Sequence, residues 1–445
     1  MKSRRLIVYI FAGLLTMLGS IFLVQRTFRY ESPSPNTIIV AADGLGQYRT
    51  ISEALRNSRT GMTILVKPGV YKENMVINTP VEIVGLNRED TYFNRVTSML
   101  FRKSNPHELD VVIQGNGGSA LRMETDHALV RNVSLRTRKG LNNGSGRSAG
   151  IPAVDIPTGK LVLEECEVTS ETGYGIAVYG ADAVPEIRRS KIHGASEAGV
   201  YAFYGSKPVI EECEIFDNKG PGIMLAEQSA PSILSCDVHG NRYELYMCGG
   251  ADPLIKNSKF HDGEKAGIYA CELSKGTIED SEIYGHRQEQ EVIVRDRSNL
   301  TMRRTKIYNG QKEGIWFYNN AGGLMENCEL YGNGNVGIIV SNGSNPTIRG
   351  TKLYRMTHGG ILFQNQGSGV VEDSEITDHI CMGILIVSGS DPVIRNTRIH
   401  RNNEGAIVVR EGGNGTVENC DLQGNRDGGL IVSSDSKVNS KGNSE

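Results

Sequence analysis

From about residue 150 to the C-terminus, short runs of alternating apolar and polar residues recur, separated by turns rich in glycine and asparagine. Each unit reads G-I-x-V, a polar turn, x-I-x-x, and then a phrase such as CEIFDN from Cys213 or CELYGN from Cys328. Alternation with a period of two predicts short β-strands, and the turns leave no room for a helix. The pattern therefore predicts three strands per unit and an all-β fold.

The units can be aligned on the residue before each apolar pair, and their mean spacing is about 23 residues. The aligned residues are Gly175, Gly199, Gly222, Glu244, Gly267, Glu291, Gly314, Gly337, Gly360, Gly383, Gly405 and Gly429. A unit of this length cannot bury its own apolar face, so successive units must stack into a solenoid. We predict a single-stranded parallel β-helix over residues 37–432.

The second residue of each recurring phrase is charged, and its sign alternates along the chain. In order these residues are Glu167, Lys191, Glu214, Asp237, Lys259, Glu282, Lys306, Glu329, Lys352, Glu375, Arg398 and Asp421. Stacked coils place them about 4.8 Å apart, where opposite charges attract and like charges repel. We interpret the alternation, which only Glu214 and Asp237 break, as a device that sets the register.

Two groups of asparagines also recur at fixed positions of the unit. One group consists of Asn319, Asn342 and Asn365, and the other of Asn218, Asn241, Asn333, Asn402 and Asn425. Amide side chains stacked in register can hydrogen-bond along a column. Both groups are therefore predicted to form structural ladders.

Composition and cysteine spacing exclude some classes of protein. The 445-residue chain has a net charge of −3 and a pI near 6.4, without the basic surface expected of a nucleic-acid-binding protein. Its eight cysteines form no CxxC pair. A shared repeat position predicts burial in the core for Cys166, Cys213, Cys236, Cys328 and Cys420.

Cys248 and Cys271 share a different position in consecutive units. They either form a disulfide or, as we favour, remain free thiols.

The N-terminus has another character. Leu6–Val24 is a run of 19 residues without a charge, about the length that crosses a bilayer, and no A-x-A-like cleavage site follows. We predict an uncleaved membrane anchor within residues 1–30 and a linker over 31–36. The protein is then expected to be membrane-anchored and extracytoplasmic, in the periplasm or at the cell surface, whereas cleavage would make it secreted.

Other segments interrupt or end the repeats. Thr50–Leu55 reads TISEAL, in which a Thr-x-x-Glu capping box predicts a short helix at the N-terminal end of the solenoid. Residues 89–110 and 136–150 are predicted insertions or loops, and the polar tail over 433–445 is predicted to be disordered.

Residues 37–87 contain DGLGQYRTISEA and PGVYKE, and here the chain resembles the entry segment of the pectate lyase and pectin methylesterase superfamily. The resemblance continues through Val432 as the β-helix repeat of carbohydrate-binding and sugar-processing proteins. It implies a right-handed parallel β-helix and a polysaccharide partner.

The marks of particular enzymes in that superfamily are missing. The Gln-Asp pair of the methylesterases is absent after Cys166, and their Asp-Phe-Ile-Phe-Gly is replaced by EAGVYAFYG, which contains Glu197. Trp316 lies in EGIWFY instead of Leu-Gly-Arg-Pro-Trp. The Asp-Pro-His-Asp of alginate epimerases is also absent. The sequence therefore argues against methylesterase activity and leaves open whether the protein is an enzyme.

Two residues after each aligned position the side chain is expected to face outward. This column is largely apolar and consists of Ala177, Tyr201, Met224, Tyr246, Tyr269, Ile293, Trp316, Ile339, Leu362, Leu385, Ile407 and Ile431. Either the 89–110 insertion or a second chain covers it, which would make it a self-association surface, or its aromatic part binds sugars. The ligand-binding candidates are Tyr201, Tyr246, Tyr269, Trp316 and Tyr318.

Charged residues lie beside this aromatic part. Glu227, Glu272 and Asp296 share a turn position, and Arg295 precedes the last of them. Carboxylates on neighbouring coils can bind Ca²⁺ or act as an acid and base, so these four residues are the catalytic candidates.

His239 and His261 lie in a separate column and are the metal-ligating candidates, although stacked rings are also ordinary β-helix packing.

These observations support three functions. The first is a membrane-tethered protein that binds, and in one version modifies, a polysaccharide along the aromatic face. The alternatives are a non-enzymatic scaffold that binds another protein or itself, and a polysaccharide lyase or epimerase.

Overall fold

The computed structural model describes residues 36–87, 109–138 and 150–445, which wind into a parallel β-helix. Each coil contributes one short strand to each of three parallel sheets, here called A, B and C in the order the chain visits them. The described residues supply 17 strands to sheet A, 14 to sheet B and 15 to sheet C, so the predicted three-strand unit is confirmed.

The strands of sheet A are Thr37–Val40, Met62–Val66, Val81–Gly85, His127–Arg131, Lys160–Glu164, Glu186–Arg188, Val209–Glu211, Ser232–Leu234, Leu254–Lys256, Lys275–Glu279, Asn299–Arg303, Gly322–Glu326, Asn345–Arg349, Ser368–Glu372, Asp391–Arg395, Asn414–Glu418 and Lys437–Lys441. The strands of sheet B are Gly69–Lys72, Val111–Gly115, Ser134–Thr137, Glu167–Ser170, Lys191–His193, Glu214–Phe216, Asp237–His239, Lys259–His261, Glu282–Tyr284, Lys306–Tyr308, Glu329–Tyr331, Lys352–Tyr354, Glu375–Thr377 and Arg398–His400. The strands of sheet C are Met75–Ile77, Leu121–Met123, Val154–Ile156, Ile176–Tyr179, Val200–Phe203, Ile223–Leu225, Leu245–Met247, Ile268–Ala270, Val292–Arg295, Ile315–Tyr318, Ile338–Ser341, Ile361–Gln364, Ile384–Ile386, Ile407–Val409 and Leu430–Val432.

The core is a set of columns in which equivalent apolar residues of successive coils stack inside the helix. Ile215, Val238 and Phe260 are one such run on sheet B, and all three are fully buried. Burial of each side chain of this size stabilises the fold by roughly 1.5–3 kcal/mol. The predicted cysteine column is also confirmed, because its five thiols are only 2–3% exposed.

A six-residue helix, Ile51–Arg56, covers the N-terminal end of the core as predicted. The Thr50 hydroxyl accepts a hydrogen bond from the Glu53 N–H at 3.2 Å. The Glu73 carboxylate accepts two further bonds, from the N–H groups of Ile51 and Ser52. These acceptors satisfy donors that a helix N-terminus otherwise leaves unpaired.

The predicted membrane anchor, Leu6–Val24, lies outside the described residues, as do most of the insertions predicted over 89–110 and 136–150. Arg136 and Thr137, assigned to the second insertion, belong to a sheet B strand. Within the described residues, no helix combines the length and apolar character that a membrane crossing requires.

The C-terminal tail differs from its prediction. Residues after Ser433 form part of a last coil, in which Lys437–Lys441 pairs in parallel with Asn414–Glu418 and Val438 packs on the core. Polar composition suggested disorder, but the preceding coil offers an open sheet edge that bonds to any backbone laid along it.

The predicted charge alternation is realised on the outer face of sheet B, where all twelve residues are in register. A second ladder, absent from the sequence analysis, runs along sheet A. It consists of Lys256, Glu279, Arg303, Glu326, Arg349, Glu372, Arg395, Glu418 and Lys441. Its ion pairs include Lys256–Glu279 at 3.0 Å and Arg303–Glu326 at 3.1 Å.

A ladder of rings lies beside the charges of sheet B. From His193 to Tyr354, eight side chains stack with centroids 4.6–5.3 Å apart. Where the preceding coil carries an acid, the ring has a polar group that contacts it, as Tyr308 contacts Glu282 at 3.0 Å and Tyr354 contacts Glu329 at 2.7 Å. Phe216 lies one coil after Lys191, where no acceptor is present.

The predicted asparagine ladder that includes Asn218 and Asn241 exists in the turn between sheets B and C, and we call it the interior polar file. The Asn218 Nδ2 group donates to Asn241 Oδ1 at 2.9 Å, and both residues are at most 3% exposed. His286 and His379 occupy the same position in other coils. The asparagine oxygens accept backbone N–H groups of the coil before them, as Asn241 Oδ1 does from Asn218, and His379 Nδ1 does the same from Met356, whereas His286 Nδ1 contacts Glu291.

Glutamates replace the aligned glycine at two coils and enter this file. The Glu244 carboxylate accepts bonds from Asn241 and fills the space beside Gly263, where any Cβ would collide with it. Glu291 fills the space beside Gly310 in the same way and contacts His286. Burial raises the pKa of Glu244 to about 8.

Candidate functional site

The candidate site is the outer face of sheet C. Its central column is Val76, Arg122, Asp155, Ala177, Tyr201, Met224, Tyr246, Tyr269, Ile293, Trp316, Ile339, Leu362, Leu385, Val408 and Ile431. Ile407, predicted to be in this column, is instead fully buried in the core. It pairs with the inward Ile384, so Ala406, not Gly405, is the aligned residue of that coil.

Tyr246 and Tyr269 form the centre of the face. Their rings stack at 5.0 Å with an interplanar angle of 8°, and Tyr243 packs edge-on against both at 5.6 Å. Stacking covers one face of each ring, so the pair directs its ring edges and hydroxyls outward. Burial raises the pKa of both phenols, which therefore remain protonated hydrogen-bond donors at neutral pH.

A second aromatic group lies two coils towards the N-terminus. Tyr201 stacks on Phe203 of the same strand at 4.3 Å and contacts Tyr174 at 4.9 Å. Phe203 also stacks on Tyr179 of the preceding coil at 5.2 Å. The aromatic surface is therefore wider than the single column that the sequence indicated.

Arg295 connects the two sides of the face. Its guanidinium donates to the Tyr269 hydroxyl at 3.1 Å and to Asp296 at 2.8 Å, and it lies 5.4 Å from the ring centre of Tyr318. Trp316 contacts Tyr318 at 4.9 Å. The structure thus brings together four sequence candidates, Tyr269, Arg295, Asp296 and Tyr318, in one network.

Glu227, Glu272 and Asp296 occupy one row of turn residues along the edge of sheet C. Their φ angles are 49°, 55° and 55°, and Asn319, Asn342 and Asn365 continue the row at 57°, 52° and 50°. Left-handed backbone favours asparagine and aspartate. The predicted amide ladder in these exposed asparagines is replaced by backbone pairing, such as Asn342 N–H to Asn365 O at 3.0 Å.

The three carboxylates differ in their surroundings. Asp296 accepts from Arg295 through one oxygen and from Asn319 Nδ2 through the other, at 2.6 Å. Glu227 and Glu272 are exposed. Asp296 is therefore held in place, whereas the other two project from the turn.

The apolar side chains in the central column of sheet C are less exposed to solvent than the sequence suggested. Ile293 is only 6% and Ile339 only 9% exposed. The large open patch that the sequence implied is absent from this stretch of the described face.

His239 and His261 lie on sheet B, away from the aromatic face. Their rings stack at 5.0 Å within the ring ladder, and their Nε2 atoms contact Glu214 and Asp237 of the preceding coils. Among the described residues, no group of three or more histidine, cysteine or acidic side chains is arranged to hold a metal ion.

Sequence reasoning missed a polar cluster at the N-terminal part of the column. Asp155, only 9% exposed, pairs with Arg122 of the preceding coil, and Tyr179 contacts both. The signal is present in Val154–Ile156, which reads VDI and extends the aligned pattern one coil upstream of Gly175.

The family comparison agrees with this architecture. The sequence pattern of the right-handed β-helix region matches residues 142–248, 232–345 and 290–444, more than half of the chain. The chain belongs to the right-handed β-helix family. This family match confirms the right-handed parallel β-helix that the resemblance implied.

Two plant proteins named as pectinesterases are similar to this chain in sequence. The pectinesterase of Petunia integrifolia is 25% identical over 210 residues, which are 46% of this chain and 51% of that protein. Pectinesterase/pectinesterase inhibitor 22 of Arabidopsis thaliana is 26% identical over 189 residues, or 41% and 31% of the two chains. The β-helix protein therefore matches about a third to a half of the length of these relatives.

Two solved structures with similar winding are the periplasmic alginate epimerase AlgG and the pectin methylesterase of Aspergillus niger. The first has 13% identity and a TM-score of 0.42, covering 85% of this chain and 77% of its own. The second has 15% identity and a TM-score of 0.37, covering 66% and 87%.

Proposed function

We propose that this β-helix protein binds an extended polysaccharide along the outer face of sheet C, from Tyr201 to Tyr318. The observation that carries the proposal is the network around Arg295. It fixes a guanidinium, a carboxylate and a phenol beside two further aromatic rings. Polar groups held in place among aromatic surfaces are the usual means by which proteins orient a ligand rich in hydroxyls.

The dimensions suit a chain ligand. The coils are spaced about 4.8 Å apart, so the column from Tyr201 to Trp316 extends roughly 24 Å. A small sugar would occupy only part of it. The relatives named as pectinesterases support a polysaccharide as the partner.

The ring geometry supports a particular mode of binding. Tyr246 and Tyr269 cover each other's faces, so they contribute hydroxyls and ring edges, while Arg295 and the tilted Trp316–Tyr318 pair flank them. Recognition through the guanidinium favours a sugar that carries a carboxylate.

Binding is tested with the full-length protein in detergent on an array of neutral and acidic polysaccharides, with Ca²⁺ and with a chelator. We expect acidic polysaccharides to bind and Tyr269→Ala and Arg295→Ala to weaken binding at least tenfold. Tyr331→Ala, in the ring ladder of sheet B, is the matched control and should bind normally. Equal binding by wild type and the sheet C variants would overturn the proposal.

The lyase or epimerase hypothesis uses Glu272 and Asp296 as acid and base with Arg295 beside them. The ion pair that holds Asp296 supports a positioning role more than proton transfer. Incubation of the bound polysaccharide with wild type and a Glu272→Gln, Asp296→Asn variant decides between them. Product formed by the wild type and lost in the variant would establish catalysis, whereas no product from either leaves binding alone.

We further propose that Leu6–Val24 anchors the protein in a membrane with the β-helix on the extracytoplasmic side. The length and apolar character of the segment support this. Membrane fractions should retain the protein through an alkaline carbonate wash and release it in detergent. Deletion of residues 1–30 should move it to the soluble fraction, and retention of that variant would contradict the anchor.

A further inference from the structure

Two cysteines lie side by side on the outer face of sheet C. Met247 pairs with Ala270, so the following residues, Cys248 and Cys271, are neighbours on consecutive coils. In-register parallel strands place their Cα atoms about 4.8 Å apart, with both side chains directed outward. Both are free thiols.

Their surroundings differ from those of the core cysteines. The Cys271 Sγ lies 3.7 Å from the Tyr246 hydroxyl, and Cys248 is partly open to solvent. Cys213 and Cys236 also occupy neighbouring coils, but both are only 2% exposed, and each thiol contacts two backbone carbonyls, whereas the Cys271 thiol contacts one, Met247 O at 3.6 Å. Of these two pairs, only the outer one includes a thiol that is partly open to solvent, that of Cys248, while Cys271 is 5% exposed.

We propose that Cys248 and Cys271 form a two-coordinate site for a soft monovalent cation of the Cu(I) or Ag(I) class. Thiolates are the ligands that such ions prefer. Binding replaces two S–H bonds by two metal–sulfur bonds and releases two protons to solvent, so no oxidant or reductant is required. The product carries one net negative charge, and it lies next to Arg295 in the same column, whose guanidinium is paired with Asp296.

Strand geometry favours this ion over a disulfide. A disulfide requires Cβ atoms about 3.5–4.5 Å apart. Parallel side chains in register keep their Cβ atoms near the wider strand spacing, so an S–S bond requires the two side chains to lean towards each other. An ion between the sulfurs bridges the gap without moving the backbone.

The test is titration of the reduced, full-length protein with Ag(I) under nitrogen, followed by native mass spectrometry and ultraviolet absorbance. We expect one tightly bound ion and a change in the absorbance of Tyr246. Cys248→Ser and Cys271→Ser should each weaken binding at least a hundredfold. The control is Cys381→Ser, which removes another partly exposed thiol and should leave the ion bound.

Three results would overturn the proposal. The first is tight binding that survives either serine substitution, and the second is loss of the ion in the Cys381 variant. The third is a disulfide between Cys248 and Cys271 in protein isolated without reductant, because a covalent cross-link would then be the purpose of the pair.

Discussion

Two residues in the turns between sheets B and C depart from the repeat, and a second residue compensates for each departure. Glu244 and Glu291 replace the small aligned residue, and in each case the next position of the interior polar file is a glycine. Each glutamate oxygen takes over the acceptor role that asparagine has elsewhere, as the contact from the Asn241 N–H at 3.2 Å shows. A buried N–H without an acceptor costs about 1–3 kcal/mol, so loss of the Glu244 carboxylate alone is expected to destabilise the coil.

Glu244→Gly should therefore destabilise the protein by about 1–3 kcal/mol. The additional change Gly263→Asn restores the side chain found in other coils and should recover most of that loss. Urea unfolding of the wild type and both variants measures the difference. A double variant no more stable than Glu244→Gly would show that the carboxylate does not substitute for an asparagine.

His379, in the same interior polar file, makes the stability of the protein depend on pH. It is 1% exposed, and burial lowers the pKa of its imidazole to about 4 from an unfolded value of 6.5. The unfolded chain then binds the extra proton between these values, so the contribution of His379 to stability is present above pH 6.5 and is lost as pH falls towards 4.

His379→Asn supplies an oxygen acceptor that does not titrate. The wild type should lose more stability than the variant when unfolding is measured between pH 6.5 and pH 4. Parallel curves for the two proteins over this range would contradict the assignment.

Sequence reasoning at this scale succeeded where one side chain repeats in every coil. The cysteine column and the file from Asn218 to Asn425 follow from spacing alone. Sequence reasoning failed at exposed turn positions, where a positive φ angle decides which residue types occur. Asn319 and Asp296 share a row because both tolerate a positive φ, and that common cause is invisible until the turn is seen.

At the scale of elements, stacked side chains pair between neighbouring strands. The rings of sheet B carry a donor wherever the previous coil presents an acid, so Tyr308 bonds to Glu282 and His400 contacts Glu375. The two columns are therefore coupled. The alternation of charge was predictable from the sequence. Its coupling to the rings was not, because each ring contacts the acid of the preceding coil and not a neighbour in its own strand.

Tyr308→Phe should lower stability by about 1 kcal/mol, because it removes a hydrogen bond and keeps the stacked ring. Tyr331→Phe is the matched control, since its preceding coil carries Lys306, and it should be nearly neutral. Denaturant midpoints of the two variants provide the comparison. Equal losses would show that the hydroxyl bond contributes little.

At the scale of the whole molecule, the chain behaves as a linear array whose coils contact only their neighbours. Its geometry repeats every coil, whereas the charges of sheets A and B repeat every two coils. Removal of an odd number of coils must bring like charges together on both sheets, and removal of an even number keeps the alternation.

Deletion of residues 352–374 should therefore destabilise the protein more than the larger deletion of 352–397. The first places Glu329 beside Glu375 and Arg349 beside Arg395, and the second places Glu329 beside Arg398 and Arg349 beside Glu418. Guanidinium would screen the charges, so urea is the denaturant of choice. The difference should shrink at high salt. A smaller deletion that is the more stable of the two would refute the role of charge.

The Glu244 carboxylate fills the space that a side chain at position 263 would occupy. This has a consequence for how the sequences of such proteins change over evolution. The acid and the glycine are separated by the same number of residues in both examples, the other being Glu291 and Gly310. Loss of the acid alone leaves a buried N–H unpaired, and a side chain added at the glycine alone collides with the acid. In descendants of this chain the two positions are expected to be inherited together, as a linked trait that spans two turns of the solenoid.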